Sequence, residues 1–516
     1  MNEFEEETGT EEEEETPKKK GRPKSSAPSH LMSLVNTVFG EDGLFMTPSG
    51  EPYAHVTDPD SPFHGKTIPM KKKEFGTLLR YLYNIIHPSE NPGITHIGNV
   101  IEYAICKAYG NPVREEVFIR IAPDNTDGIY IDRGDEEHTV FHITDEGWTI
   151  EHDAPVKFIQ PAGMLPLPMP VAPDMGNLGL LKNHLNAKSE DDFCMIVAFI
   201  LASINPYNPY PPLFISGPPG AAKTTATRII RCFIDPNDAY VVPPTDDIKD
   251  MIALAGIVHV PAYENVTHLT KQQQSLLCIA ATGGKYVRRE LFTTNDANVA
   301  SYKKPVIING IASQLATQGD LVDRLISVSL NFIPEDDRKV EKRLWPEIHR
   351  DAPAIYGGIL DALVCCVRNY ESTLDNLQRM PRMADFYAWI IAGEEKLPWP
   401  KGYFAETYTL SKASDADGMV ESDIISRYFL DFASAQLIDD NSKKWESPTE
   451  FYKSFKSYAV HKATEEEELG TLQTKFPISV GALTTKLRTS SPQFAQKGYR
   501  FESKPGRTRT INISKI

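Results

Sequence analysis

The chain lacks most of the features that would tie it to an oxidising compartment or a membrane. Its 516 residues include six cysteines, at 106, 194, 232, 278, 365 and 366. None stands in a Cys-x-x-Cys pair or at a Cys/His ligand spacing, which excludes a zinc ribbon and predicts reduced thiols instead of a disulfide framework. No apolar run approaches the length of a membrane span, so no membrane partner is expected. Nine of the first fifteen residues are Glu, unlike a signal or transit peptide. Positive charge is in deficit as well: 54 Lys and Arg stand against 70 Asp and Glu, a net charge of −16. These absences predict a cytoplasmic globular protein, and its length predicts two to four domains.

What is present is a phosphate loop. Leu213, Phe214, Ile215 and Ser216 form a short apolar run, read as a buried parallel strand. Gly217, Pro218, Pro219, Gly220, Ala221, Ala222, Lys223, Thr224 and Thr225 follow. Small residues let backbone N–H groups close around a polyphosphate. Lys223 supplies a point charge to the β- and γ-phosphates, and Thr224 a hydroxyl to Mg²⁺. A helix over 223–233 would aim its positive end at the same anion. The nucleotide-binding candidates are therefore Gly217, Gly220, Ala221, Ala222, Lys223, Thr224 and Thr225, and the expected cofactors are ATP and Mg²⁺. Ala222 stands where the motif asks for Gly; Ala is acceptable there only with helical dihedrals, so these are predicted.

Three further positions follow in order. Residues 256–260 read as the next core strand, with Glu264 just beyond it to hold Mg²⁺ or polarise the attacking water. Residues 305–310 read as a third strand, ending at Asn309, whose amide can reach the γ-phosphate or orient the water. Arg324 precedes a strand over 326–330, where an arginine can reach into a neighbouring subunit and stabilise the transferring phosphoryl group.

The block from Ile279 through Thr282, Gly283, Gly284, Arg288 and Arg289 to Leu291 resembles the motif between the Walker B acid and sensor 1 of superfamily 3 helicases. It is most similar to the phage and poxvirus primase–helicase ATPases. More narrowly, the chain resembles ATP-binding proteins of bacterial viruses and integrated elements, from about residue 66 onward; an Ala before the loop Lys is common in that group. The resemblance implies that Lys223 and Thr224 bind phosphate and Mg²⁺, that Glu264 is the Walker B acid and that Asn309 is sensor 1. It further implies that Arg324 is the finger; Arg288 and Arg289 within the block are candidates for support of the subunit interface or of the ATPase site. The implied fold is α/β: a P-loop NTPase core of the AAA+ or superfamily 3 type, a mixed α+β N-terminal domain and a C-terminal winged-helix domain.

Composition divides the chain further. Residues 1–30 read as a disordered tail whose 18–24 segment, Lys-Lys-Lys-Gly-Arg-Pro-Lys around Arg22, resembles an AT-hook. Residues 31–160 read as the mixed domain, 161–175 as a stiff Pro-rich linker, 176–400 as the ATPase with a helical lid, and 401–473 as a helical connector. Residues 474–516 carry nine Lys and Arg against one acid, Glu502, in a helix-then-hairpin pattern that suits phosphate contacts. Candidate DNA contacts are Lys486, Arg488, Lys504, Arg507 and Arg509 there, Arg22 in the tail, and Lys303 and Lys304 at the end of a loop over 293–304. The leading expectation is a ring-forming, hexameric ATPase that moves on DNA during replication of a mobile element in a bacterial host cytoplasm, alongside other replication proteins. A DNA-binding switch that loads another helicase and a small-molecule P-loop kinase are the alternatives. No primase signature is present.

Overall fold

The computed structural model describes residues 27–516 except 239–240, 244, 246, 290–296, 311–317, 379, 439 and 505–509. The hook-like segment with Arg22, and Arg507 and Arg509, lie outside the described residues. The chain divides into two compact units between Glu115 and Glu116, where a boundary at 160 was expected. In the first unit, helix Ala27–Phe39 starts inside the stretch read as a disordered tail. Leu31, Leu34, Val35 and Val38 recur at helical spacing and are buried, which gives that helix a reason to form. It packs with helices Lys73–Ile86 and Ile94–Gly110 and a three-stranded antiparallel sheet, Leu44–Met46, Pro52–His55 and Thr67–Pro69.

The second unit opens with a four-stranded antiparallel meander, Ile121–Pro123, Ile129–Asp132, Val140–Ile143 and Trp148–Glu151. Ile131, Phe141, Ile143 and Trp148 belong to the same hydrophobic cluster as Leu213, Ile215, Ala221 and Ala226, on either side of the 217–220 loop, so no domain boundary falls at 160. The Pro-rich stretch is not a free spacer. The N–H groups of Leu165, Leu167 and Val171 donate to Pro236 O, Arg133 O and Pro353 O at 3.0, 2.8 and 3.1 Å, strapping it to the core.

The centre of the unit is a parallel sheet. Its strands are β1 (Leu213–Ser216), β2 (Ala262–Val266), β5 (Ile307–Gly310) and β6 (Ile326–Ser329), in the order β2-β5-β1-β6. Its core strands are near-continuous apolar runs because helices cover the sheet. Helix α1 (Glu190–Ile204) is capped by Ser189, and from Phe193 onward every residue is buried. Helix α2 (Lys223–Cys232) follows the glycine- and proline-bearing loop 217–222. Helix α3 (Lys271–Thr282) and an antiparallel hairpin, β3 (Lys285–Arg289) with β4 (Ala297–Ser301), are inserted between β2 and β5. Beyond β6 come α4 (Glu341–Asn376) and α5 (Ala384–Gly393), which share the central core.

Residues 256–260 are not a strand. Asp235 takes the N–H groups of His259 and Val260 at 2.9 and 3.0 Å, so these cannot join a ladder, and the strand starts after Pro261. Near the C-terminus, α6 (Ile424–Gln436), β7 (Ser442–Trp445), α7 (Pro448–Glu465), α8 (Val480–Thr489) and the hairpin β8 (Tyr499–Lys504) and β9 (Thr510–Lys515) share one cluster. The sheet order is β7-β9-β8. The core therefore runs across residue 474, through what was read as a separate connector. Among the described residues no helix is long and apolar enough to cross a membrane.

Candidate functional site

The loop between β1 and α2 leaves the sheet at the carboxyl ends of the parallel strands, where α/β folds place their ligands. Its two glycines answer to different needs. A Cβ at Gly217 would come within 3.1 Å of Leu330 O, whereas Gly220 sits at φ 83° with its missing Cβ 3.0 Å from the Arg338 guanidinium. Ala221 is fully buried. Ala222 departs from expectation: it holds φ 59° and ψ 36°, a left-handed conformation rather than a helical one. It is the residue immediately before the helix, and its methyl makes the left-handed conformation unfavourable.

Lys223 opens the helix and folds back on its own loop, donating to Gly217 O at 2.8 Å and Pro218 O at 3.1 Å. Burial lowers its pKa. Thr224 donates its hydroxyl to Glu264 Oε2 at 2.9 Å, and Thr225 lies partly exposed in the same first turn. Glu264 stands inside β2, not past its end, where the pairing with β5 shifts register between Tyr263 and Val266 and Asn265 turns left-handed at φ 55°. Such a bulge re-aims side chains. Asn309 is buried in β5; its amide donates to Thr227 Oγ1 at 3.1 Å, and its carbonyl accepts from Asn265 N at 3.2 Å. Thr224, Glu264, Asn309 and the loop are thus joined by side chains, with Thr227 and Arg338 as members that the sequence reading missed. Thr227 was within reach, standing one turn after Lys223 on the same face of α2. Arg338 lies in an irregular stretch with no local signal. A hydroxyl paired with a carboxylate is the oxygen set that suits Mg²⁺, and the glycine-lined loop beside a lysine suits phosphate, so the residues present fit both groups.

Arg324 is elsewhere. It precedes β6, whose first residue pairs with Leu213 at the start of β1, so it lies at the opposite edge of the parallel sheet from its own loop. It is ion-paired with Asp320 and donates to Asp320 O at 2.8 Å, while Arg382 bridges Asp320 and Asp323. It cannot serve its own loop from there.

The expected DNA contacts fare unevenly. Lys303 donates to Pro206 O and Tyr207 O at 2.9 and 2.8 Å and lies over the Tyr210 ring, and burial pushes the Lys304 ammonium down to about 8. Lys303 thus points inward, onto carbonyls and a ring, which corrects the channel-facing role expected for it, while Lys304 beside it is half-buried. Arg288 and Arg289 fall on β3 of the inserted hairpin. Lys486 pairs with Asp423 at 3.0 Å, Arg488 is exposed, and Lys504 ends β8.

Behind the loop helix lies a buried ionic hub. Arg120, fully buried and left-handed at φ 69°, donates to Asp235 Oδ1 at 3.3 Å. It also reaches Asp132 O, Arg133 O, Leu165 O and Pro236 O at 2.7–3.3 Å. Burial works to raise the Asp235 pKa, but Arg120 and Arg231 outweigh it and hold the carboxyl below its usual range. Asp235 therefore ties the end of α2 to the approach to β2.

Residues 177–396 match the family model described as actinomycete integrative conjugative element replication protein. The chain is similar to that family. The match covers less than half of it, and the matched part contains the loop, Glu264, Asn309 and Arg324. No curated protein matches the sequence. Two solved structures of the apo C-terminal region of NrS-1 are similar to it. One, its A form, has a TM-score of 0.37 and 8% identity, covering 94% of this chain and 99% of that one. The other has a TM-score of 0.36 and 10% identity, covering 96% and 100%. At such scores neither informs the fold of this chain.

Proposed function

We propose that the second unit is a nucleoside-triphosphate-hydrolysing motor of the P-loop type that works on DNA in the replication of a mobile element. One observation carries the reading: the Thr224 hydroxyl on Glu264, with Asn309 held behind it through Thr227, at the carboxyl edge of a parallel sheet and beside a lysine-bearing glycine loop. Here Lys223 and the loop N–H groups would take the phosphates, while Thr224 and Glu264 would hold Mg²⁺, whose charge offsets the developing negative charge. Glu264 would also orient the attacking water. Placement of Arg324 at the far edge of the sheet supports its use by a neighbouring subunit, hence a ring. The inserted hairpin with Lys285, Arg288 and Arg289 in its sequence, together with the C-terminal module, would face DNA. That module runs helix, strand, four helices (two of them short, Leu469–Lys475 and Ser491–Gln496) and hairpin, with sheet order β7-β9-β8, and the strand, the helices before the hairpin and the three-stranded sheet support a winged-helix reading. The similarity of residues 177–396 to element replication proteins supports the setting.

The test is ATP hydrolysis by the full chain with and without single-stranded DNA. Wild type is expected to hydrolyse ATP faster with DNA, and Lys223→Ala to lose hydrolysis while keeping its thermal transition, because that electrostatic contribution is several kcal/mol. Near-normal turnover by folded Lys223→Ala would sink the assignment, and hydrolysis indifferent to DNA would favour the loader.

A further inference from the structure

A cleft of about 360 Å³ opens beside the loop helix, lined among others by Leu165, Pro166, Arg228, Cys232, Trp345 and His349. That volume is within the range of small-ligand sites. We propose that it takes the base and sugar of the nucleotide, laid along the first turns of α4 and outward from the phosphate loop. This rests on the nucleotide reading above.

Side chains from the loop end to the cleft mark the way there. Arg338 stands at the loop end, 3.0 Å from the position a Gly220 Cβ would occupy. Next, Glu341 at the start of α4 pairs with Arg228 of α2 at 2.6 Å. One turn further, the Arg228 guanidinium lies 4.9 Å from the centre of the Trp345 ring. His349 follows, its ring 5.8 Å from that of Trp345. Arg228 is five residues past Lys223, so it sits roughly 7–8 Å along the helix from the lysine, a reach that suits a ribose and base attached to a phosphate held at Lys223.

The chemistry suits a flat aromatic heterocycle. The Arg228 guanidinium covers one face of the indole, and a base would stack on the other. Leu165 and Pro166 give an apolar wall. Trp345 Nε1 is buried without a hydrogen-bond partner among the described residues, a donor that a base nitrogen or carbonyl would satisfy. Nothing in the phosphate chemistry needs this wall, so the ligand class it selects is nucleoside phosphates over inorganic polyphosphate.

The experiment compares Mg·ATP with inorganic tripolyphosphate on the full-length protein. Kd is measured for each with wild type, Trp345→Ala, Trp345→Phe and Lys223→Ala. Trp345→Ala is expected to weaken ATP about tenfold, following the Ala-truncation range for base stacking, and to leave tripolyphosphate within twofold. Trp345→Phe keeps an aromatic face and should recover most of the ATP affinity, while losing part of the tryptophan quench that ATP produces in wild type. Lys223→Ala should weaken both ligands alike. Equal ATP affinity for wild type and Trp345→Ala, or equal weakening of both ligands, overturns the base site while leaving the phosphate loop standing. Should Trp345→Ala fail to fold, an ATP quench undiminished in Trp345→Phe overturns the proposal on its own. Failure of wild type to bind either ligand overturns the nucleotide reading and this one with it.

Discussion

Ala222→Gly should stabilise the protein, against the usual direction of a substitution to glycine. Ala222 sits at φ 59° and ψ 36°, immediately before the first residue of the loop helix. A left-handed residue with a Cβ costs about 1–2 kcal/mol over glycine in the same conformation. Glycine returns part of that, because its unfolded chain is freer, by about 0.4–1 kcal/mol. The net is a gain of about 0.5–1 kcal/mol. For a cooperative unit of a few hundred residues this corresponds to roughly 1–3 °C in Tm. Differential scanning calorimetry on the full chain reads it in the transition of the second unit. Ala222→Val supplies the opposite arm, since a β-branched residue is worse than Ala at positive φ, and should lower that transition by more than the glycine raises it. A lower Tm for Ala222→Gly, or no cost for Ala222→Val, would show that the residue is not left-handed in solution and that the strain argument is wrong.

Arg324→Ala should bind ATP normally and lose about 10³-fold in turnover, and mixing with Lys223→Ala should restore part of it; no rescue by any mixing ratio refutes action between subunits. His259 is buried, and burial, with Lys304 nearby, pulls its pKa down to about 4, against partial opposition from Asp235. It is neutral in the folded protein and protonates first in the unfolded chain, so stability is lost as pH falls from about 6.5 toward 4, by about 3 kcal/mol at 1.36 kcal/mol per unit. Urea midpoints across that window should fall less steeply for His259→Gln, and identical slopes would refute the assignment. Arg488→Gln should flatten the log K against log[salt] slope for duplex DNA by about 0.9, as for one phosphate contact. Lys486→Gln should do less, since Lys486 is already paired with Asp423; equal slopes for wild type and Arg488→Gln would remove the α8 face from the DNA surface.

What could be read in the sequence was whatever announces itself within a few residues. The apolar run into Gly217, the helix after Lys223, and Asn309 at the end of a buried run all depend on local pattern, and the structure has them where the pattern put them. Residues 256–260 misled because Val258, His259 and Val260 are buried as a strand would be. Their backbone is claimed by Asp235, more than twenty positions earlier, which no local pattern displays. Lys303 was misread for the same reason, its acceptors being carbonyls at 206 and 207. The strand Ser442–Trp445 is four residues with three exposed, too short for alternation to declare it, yet it completes the C-terminal sheet. Arg338 gave no signal at all, because its importance is its proximity to Gly220.

Arg120 sets where this protein can be cut. The similarity to replication proteins begins at residue 177, yet a fragment starting there would lack the guanidinium that neutralises Asp235 from the far side of the hub. Asp235 would be left with Arg231 alone, at 3.5 Å, and with less of its buried charge offset the fragment loses stability; the meander residues that share the core would be missing as well. Segments that resemble one another across proteins and segments that fold are therefore different lengths of this chain. Biochemistry on the isolated second unit should begin at Glu116, and loss of hydrolysis in anything shorter would speak of a collapsed frame before it spoke of catalysis.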